Sequence, residues 1–176
     1  MTRRTGAGNL YPAEGPRNRA VFVTVAHAEE IPAVRSIFRE YANALGVDLC
    51  FQNFEAELAD LPGDYGAPRG ALLTAKVNGE LAGCCALRPL DTADYPNAAE
   101  MKRLFTRPGF RGLGMGRRLV EATLDFARQA GYGCVLLDTL SDMEAARALY
   151  EELGFEEIPP YYYNPIAGAH YLKVQL

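Results

Sequence analysis

The chain has 176 residues, 49% of them apolar and 23% charged, a composition that suits one soluble globular domain with a sizeable core. A net charge of −4 gives no electrostatic reason to expect nucleic acid as a partner. Two histidines and four cysteines without metal-ligand spacing argue against a zinc or histidine-triad enzyme, so no metal is expected, and no apolar run is long enough to cross a membrane.

Met1 to Arg19, rich in Gly, Pro, Asn and Arg and without periodicity, reads as a flexible N-terminal extension, leaving residues 20–176 as a single folded domain. The N-terminus lacks the apolar core of a signal peptide, and Cys50, Cys84, Cys85 and Cys134 read as reduced thiols of a cytoplasmic protein. Ala20 to Ala26 is a β-branched strand. Glu29 to Leu45 is a helix with apolar Ile31, Val34, Ile37, Phe38, Tyr41 and Leu45 on one face, acidic residues in its first turn and Gly46 at its end. Phe51 to Ala59 is a shorter amphipathic helix that stops before Leu61-Pro62-Gly63. Ala71–Val77 and Leu81–Leu87 form a hairpin across Asn78-Gly79. Its adjacent Cys84 and Cys85 should face opposite ways.

Asp91 to Asn97 is a polar loop leading to a strand over Glu100–Thr106, where Met101, Arg103 and Phe105 alternate with Glu100, Lys102, Leu104 and Thr106. Pro108-Gly109 makes a turn. Gly112, Gly114 and Gly116 then open a helix from Gly116 to Ala130, with Leu119, Val120, Thr123, Leu124 and Ala127 inward and Gly131 as its stop. Cys134–Leu137 is a buried strand ending at Asp138-Thr139. Asp142 to Leu153 is a helix with Ala146, Leu149, Tyr150 and Leu153 on one side. Gly154-Phe155 starts a last hairpin through Ile158 to Pro160, returning at Tyr171 to Gln175.

The glycine-rich turn is the most informative stretch. Glycines let backbone N–H groups converge on an anion, and the first turn of the following helix adds unpaired donors and a positive dipole end. Arg111, Arg117 and Arg118 add positive charge. A P-loop would need Gly-Lys-Ser/Thr, whereas Gly116 is followed by Arg117-Arg118. A dinucleotide fingerprint would need a third glycine where this chain has Arg117 or Leu119.

Arg111-Gly112-Leu113-Gly114-Met115-Gly116 resembles the acyl-CoA pyrophosphate loop of the GNAT superfamily of N-acetyltransferases. Ala146-Arg147-Ala148-Leu149-Tyr150-Glu151-Glu152-Leu153-Gly154-Phe155 resembles a second segment of that family, and the element order matches from about Ala20 to Leu176. The resemblance implies an α/β fold with a central twisted mixed sheet flanked by helices, and acetyl-CoA as cosubstrate. It implies that Arg111 to Gly116, with Arg117, hold the pyrophosphate. Leu104, Phe105 and Thr106 would offer a free strand edge to the pantetheine arm, with an N–H near Leu104 for the thioester oxygen.

By the same resemblance Glu100, eleven residues before Arg111, stands where related enzymes carry a glutamate base; the other reading is a strand residue facing solvent or paired with Lys102 or Arg103. Tyr150 resembles the tyrosine that protonates the CoA thiolate, or else is a core tyrosine. Many relatives have an Asn seven residues earlier, where this chain has Met143. The acceptor is expected between the first two helices and the last hairpin, lined by Phe51, Gln52, Phe54, Tyr161, Tyr162, Tyr163 and Asn164. Aromatic walls with few committed charges suit a small-molecule amine. Two readings stay open: an active N-acetyltransferase, or a silent acyl-CoA-binding sensor on the same fold. The last hairpin also offers an edge for a homodimer.

Overall fold

The computed structural model describes residues 20–91 and 94–176; the N-terminal extension lies outside them. In chain order the elements are β1 (Val21–Val25), α1 (Ile31–Leu45), α2 (Phe54–Asp60), β2 (Ala71–Val77), β3 (Glu80–Leu90), β4 (Ala98–Thr106), α3 (Met115–Gln129), β5 (Cys134–Leu140), α4 (Glu144–Glu152), β6 (Glu156–Ile158) and β7 (Ala169–Gln175). Asn78 and Gly79 take positive φ, 51° and 84°, the two-residue turn whose twist matches a right-handed hairpin. That turn pairs β2 with β3 and starts a mixed sheet ordered β1-β2-β3-β4-β5-β7-β6.

Both faces of the sheet are apolar because each is covered by helices. On one side α1 and α2 bury Val34, Ile37, Phe38 and Leu58 against Leu72, Cys84 and Ala86. On the other, α3 buries Leu119, Val120, Leu124 and Ala127 against Leu73, Cys85, Leu87 and Val135, with Tyr150 of α4 and Phe155 extending that layer. Cys84 and Cys85 thus face opposite cores, and all four cysteines are free thiols. Each fully buried leucine or valine contributes roughly 1.5–3 kcal/mol. Among the described residues no helix is long and apolar enough to cross a membrane.

Among the described residues the only parallel pairing joins β4 to β5, and it lasts three residues, from Ala98 opposite Cys134 to Glu100 opposite Leu136. β4 continues to Thr106 and β5 to Leu140 without further pairing to each other, so the two strands splay. β5 stays anchored along its length by β7, from Cys134 opposite Gln175 to Leu140 opposite Ala169. This pairing carries Asp138 and Thr139 inside the strand, where the sequence suggests its end. A second difference lies in the expected helix over Phe51–Ala59. It divides into a 3-10 turn at Cys50–Gln52 and α2, because Asn53 between them takes φ 53°.

Candidate active site

Just past the point where the two strands part, β4 carries a bulge. Cys84 pairs with Phe105 and Ala86 with Lys102, so Arg103 and Leu104 together oppose Cys85. Arg103 has φ 61°, a left-handed conformation that costs a non-glycine residue about 1–2 kcal/mol. Its side chain, 1% exposed, holds it there. Nε and Nη2 donate to the two oxygens of Glu57 at 2.9 and 3.1 Å, and Nη1 donates to Gln52 Oε1 at 2.8 Å. The guanidinium also lies 5.1 Å from the Phe54 ring centre and 5.8 Å from that of Tyr41. The bulge therefore ties β4 to α2 and breaks the alternation expected along Glu100–Thr106.

A cavity of about 40 Å³, room for a few water-sized groups, lies between the splayed strands. Met101 to Leu104 of β4 and Leu137 to Leu140 of β5 form two of its walls; Tyr41, Leu45, Met143 and Tyr150 close others. A second depression of about 220 Å³ shares Tyr41, Leu45, Leu104 and Met143 with the first and reaches Phe105, Arg111 and Asp142. Together they make a groove from the inner cavity, past the unpaired edge of β4, to the glycine loop.

At that end Gly112 and Gly114 have φ 81° and 70°, and Gly114 caps α3. The first bond of α3 runs from Arg118 N–H to Gly114 O at 3.2 Å. The N–H groups of Met115, Gly116 and Arg117 precede that bond and so lack intrahelical acceptors. A Cβ placed on Gly112 or Gly114 would meet nothing within 4 Å, so the loop's outer side is open to a ligand. Arg111 borders the groove, its Nε donating to Thr106 O at 3.4 Å. The other two arginines turn away. Arg117 pairs with Glu152 and with Glu121 at 3.5 Å, and Arg118 donates to Val21 O at 3.1 Å. Arg117 is left with its backbone N–H to offer. Leu113 packs against the apolar layer under α3, and Met115 is buried in it.

Tyr150 lines the cavity, 5% exposed, with its ring 5.4 Å from that of Phe155. Among the described residues no protein group hydrogen-bonds its hydroxyl. Burial holds its pKa well above 10, so the hydroxyl keeps its proton. Met143 lies seven residues earlier, on the cavity wall, with its sulfur 3.7 Å from Thr139 Oγ1.

Glu100 is 2% exposed and is not among the residues lining the cavity. Arg88 Nε and Nη2 contact its Oε1 at 2.9 and 2.8 Å, and the Tyr161 hydroxyl donates to its Oε2 at 2.7 Å. Burial raises its pKa, but Lys102, Arg88 and Tyr161 outweigh that and hold the carboxyl below its usual value. A carboxylate so engaged is a weak base. Its geometry is that of an ion pair, with Arg88 as the near partner and Lys102 Nζ at 3.9 Å.

The expected acceptor residues divide in three. Gln52 and Asn164 line the cavity. Tyr161 and Tyr162 stand behind the wall, packed on each other and on Tyr171 at 5.4 to 5.7 Å, their hydroxyls donating to Glu100 and Asp138. Phe51 packs against the α1–α2 core, Phe54 is buried in it, and Tyr163 is 83% exposed. Two residues assigned no role from sequence are prominent. Lys102 is a buried cation on the cavity wall, and Asp138 faces the cavity from β5, accepting from Tyr162 and from Asn164 Nδ2 at 3.0 Å. Asp138-Thr139 after an apolar run was the available signal, since ligands gather at the carboxyl ends of parallel strands.

The family model for the acetyltransferase (GNAT) family matches residues 31–155. An uncharacterized N-acetyltransferase of Schizosaccharomyces pombe is 36% identical over 149 residues, covering 84% of this chain and 90% of that protein. Among solved structures, a GNAT-family acetyltransferase of Staphylococcus aureus superposes with a TM-score of 0.72 at 17% identity over 89% of this chain and 99% of its own. The yncA structure of Salmonella typhimurium, solved with its cofactor acetyl-CoA, gives 0.65 at 19% identity, over 89% and 94%.

Proposed function

The chain belongs to the GNAT family of acetyltransferases and is an N-acetyltransferase, and from that premise we propose that it moves the acetyl group of acetyl-CoA to the primary amine of a small molecule. The observation that carries this reading is the groove, which joins the open glycine loop of α3 to an inner cavity walled by Tyr150, whose hydroxyl no described residue engages. The chain's own residues fit the cosubstrate. The N–H groups of Met115, Gly116 and Arg117 suit the pyrophosphate oxygens, helped by Arg111. The edge of β4 at Leu104 to Thr106 has no strand partner toward β5, and it offers backbone donors and acceptors to an extended pantetheine arm. Acetyl-CoA supplies an activated thioester.

The division of labour follows from the site. An N–H at the bulge near Leu104 would stabilise the carbonyl oxygen as negative charge develops there, a kind of donor typically worth about 3 kcal/mol. The acceptor ammonium first loses one proton to solvent, giving the neutral amine. Its nitrogen bonds the acetyl carbon, and the carbon–sulfur bond breaks. Tyr150 gives its proton to the departing thiolate and is reprotonated by the second proton that leaves the nitrogen, so one proton is released overall. Glu100 is assigned a positioning role, holding Tyr161 and Arg88, in place of the base role that sequence resemblance implies. The engaged oxygens of Glu100 support that change.

The test is calorimetric titration with acetyl-CoA together with thiol release across a panel of primary amines and basic peptides. Binding with thiol release on small amines is the expected result. Reaction on basic peptides alone would overturn the acceptor class, and binding without release on any acceptor would support the sensor reading.

A further inference from the structure

Lys102 is the cavity-wall charge that the fold leaves least satisfied. Its side chain is 5% exposed, yet among the described residues its ammonium donates no hydrogen bond. The nearest carboxylate oxygens, Glu100 Oε1 and Asp138 Oδ1, stand 3.9 and 4.0 Å away, beyond hydrogen-bond reach. An ammonium needs acceptor partners, and its neighbours here, two carboxylate oxygens at ion-pair range and the Tyr162 ring centre 5.9 Å from Nζ, leave its N–H groups available to a ligand in the cavity. Asp138 is half-used in the same way. Its Oδ2 accepts from Tyr162 and Asn164, while its Oδ1 faces Lys102 with no donor bonded to it among the described residues. Both residues line the inner cavity.

Resting on the reading of the site as a small-amine acetyltransferase, we propose that Lys102 and Asp138 are the acceptor's recognition pair and that the acceptor is a free amino acid or close analogue. Lys102 takes the carboxylate, and Asp138 Oδ1 takes the amine. A donor and an acceptor 4.0 Å apart are matched by a ligand whose ammonium and carboxylate flank a single carbon. Charge balance points the same way. Glu100 and Asp138 offset Arg88 and Lys102, so a zwitterion adds no net charge to a buried site, whereas a simple cationic amine would bring its charge against Lys102. The other walls mix apolar Leu49, Leu137, Leu140 and Ile166 with polar Gln52, Thr139 and Asn164, and their small volume suits an amino acid with a short side chain.

The experiment compares thiol release from acetyl-CoA with free amino acids, their amides and the corresponding decarboxylated amines. Alanine, alaninamide and ethylamine form one such series, matched to the small cavity. At least one amino acid should exceed its own amide in kcat/KM by about tenfold or more, the value of a charge-assisted hydrogen bond. Lys102→Met should remove that preference chiefly through KM while leaving acetyl-CoA affinity unchanged, and Lys102→Arg should restore part of it. Should Lys102→Met fail to fold, the amide comparison in the parent protein decides alone. Amides or simple amines turning over as well as amino acids would overturn the recognition pair and leave the acetyltransferase reading standing. Absence of amine-dependent thiol release with every compound tested would overturn both.

Discussion

Replacing Tyr150 with Phe separates a proton donor from a core tyrosine, because the two roles predict opposite patterns. The ring is buried against Phe155, and Phe keeps that contact. The hydroxyl has no hydrogen-bond partner among the described residues, so its removal breaks no bond and leaves no group unsatisfied. Stability should change by less than about 0.5 kcal/mol. A positioned general acid contributes about 10²–10⁴ in rate. A thiolate is a fair leaving group, with a thiol pKa near 8.5, so the lower end applies, and kcat should fall about 10²-fold, or ~2.7 kcal/mol of barrier. KM for both substrates should hold. Since burial keeps the Tyr150 pKa well above 10, the parent should show no loss of kcat from this group as pH rises from 7 to 9. Steady-state thiol release and thermal melting, run on the same preparations, read both quantities. A kcat within about threefold of the parent would refute the acid role, and a clear fall in Tm would return the hydroxyl to structure.

Gly114→Ala puts a side chain at φ 70° on the open side of the loop; it should cost about 1 kcal/mol in stability and weaken acetyl-CoA binding about tenfold or more, measured by calorimetry. Glu100→Gln should lower kcat less than about tenfold and leave the pH–rate profile in place, whereas a true base would cost about 10²-fold or more and its pKa would vanish from the profile. Because the folded state holds the Glu100 carboxyl below 4.5, its contribution to stability is present above that pH and lost as pH falls beneath it; melting curves against pH should show this component in the parent and not in Glu100→Gln. Arg103→Ala strands Glu57, whose side chain is 11% exposed, and should destabilise the protein by about 3–5 kcal/mol in denaturant unfolding.

Much of the fold was legible because local chemistry and tertiary structure agree. Asn78-Gly79 made its hairpin, Gly46 and Gly131 ended their helices in the left-handed conformation, and the apolar periods of α1 and α3 matched their buried faces. The glycine loop was legible for the same reason, since positive φ at Gly112 and Gly114 is written in residue type. The interior of the site was not. Glu100 is an engaged ion pair only because Arg88, at the end of β3, lies opposite it across the sheet. Asp138 meets Tyr162 and Asn164 across 24 and 26 residues of chain. Neither pairing has a local signature. The Asn53 break was hidden too, as a single left-handed residue leaves the amphipathic pattern on either side intact.

Arg103 explains why the cofactor groove and the acceptor cavity meet where they do. A strand that continued its register past Glu100 would pair with β5 and close the cleft. The bulge keeps the rest of β4 out of that register, at the cost of one residue in the left-handed region, and the ion pair with Glu57 over the Phe54 and Tyr41 rings offsets that strain. The same guanidinium holds Gln52, and Gln52 Nε2 donates to the Tyr162 hydroxyl at 3.1 Å, which in turn donates to Asp138. One side chain thus fixes the edge proposed to meet the pantetheine arm and, through three hydrogen bonds in series, the carboxylate assigned to the acceptor amine. On the proposed reading, the distance between thioester and amine would be set by covalent geometry and buried bonds and not by loop closure, the arrangement that direct transfer between two bound substrates requires.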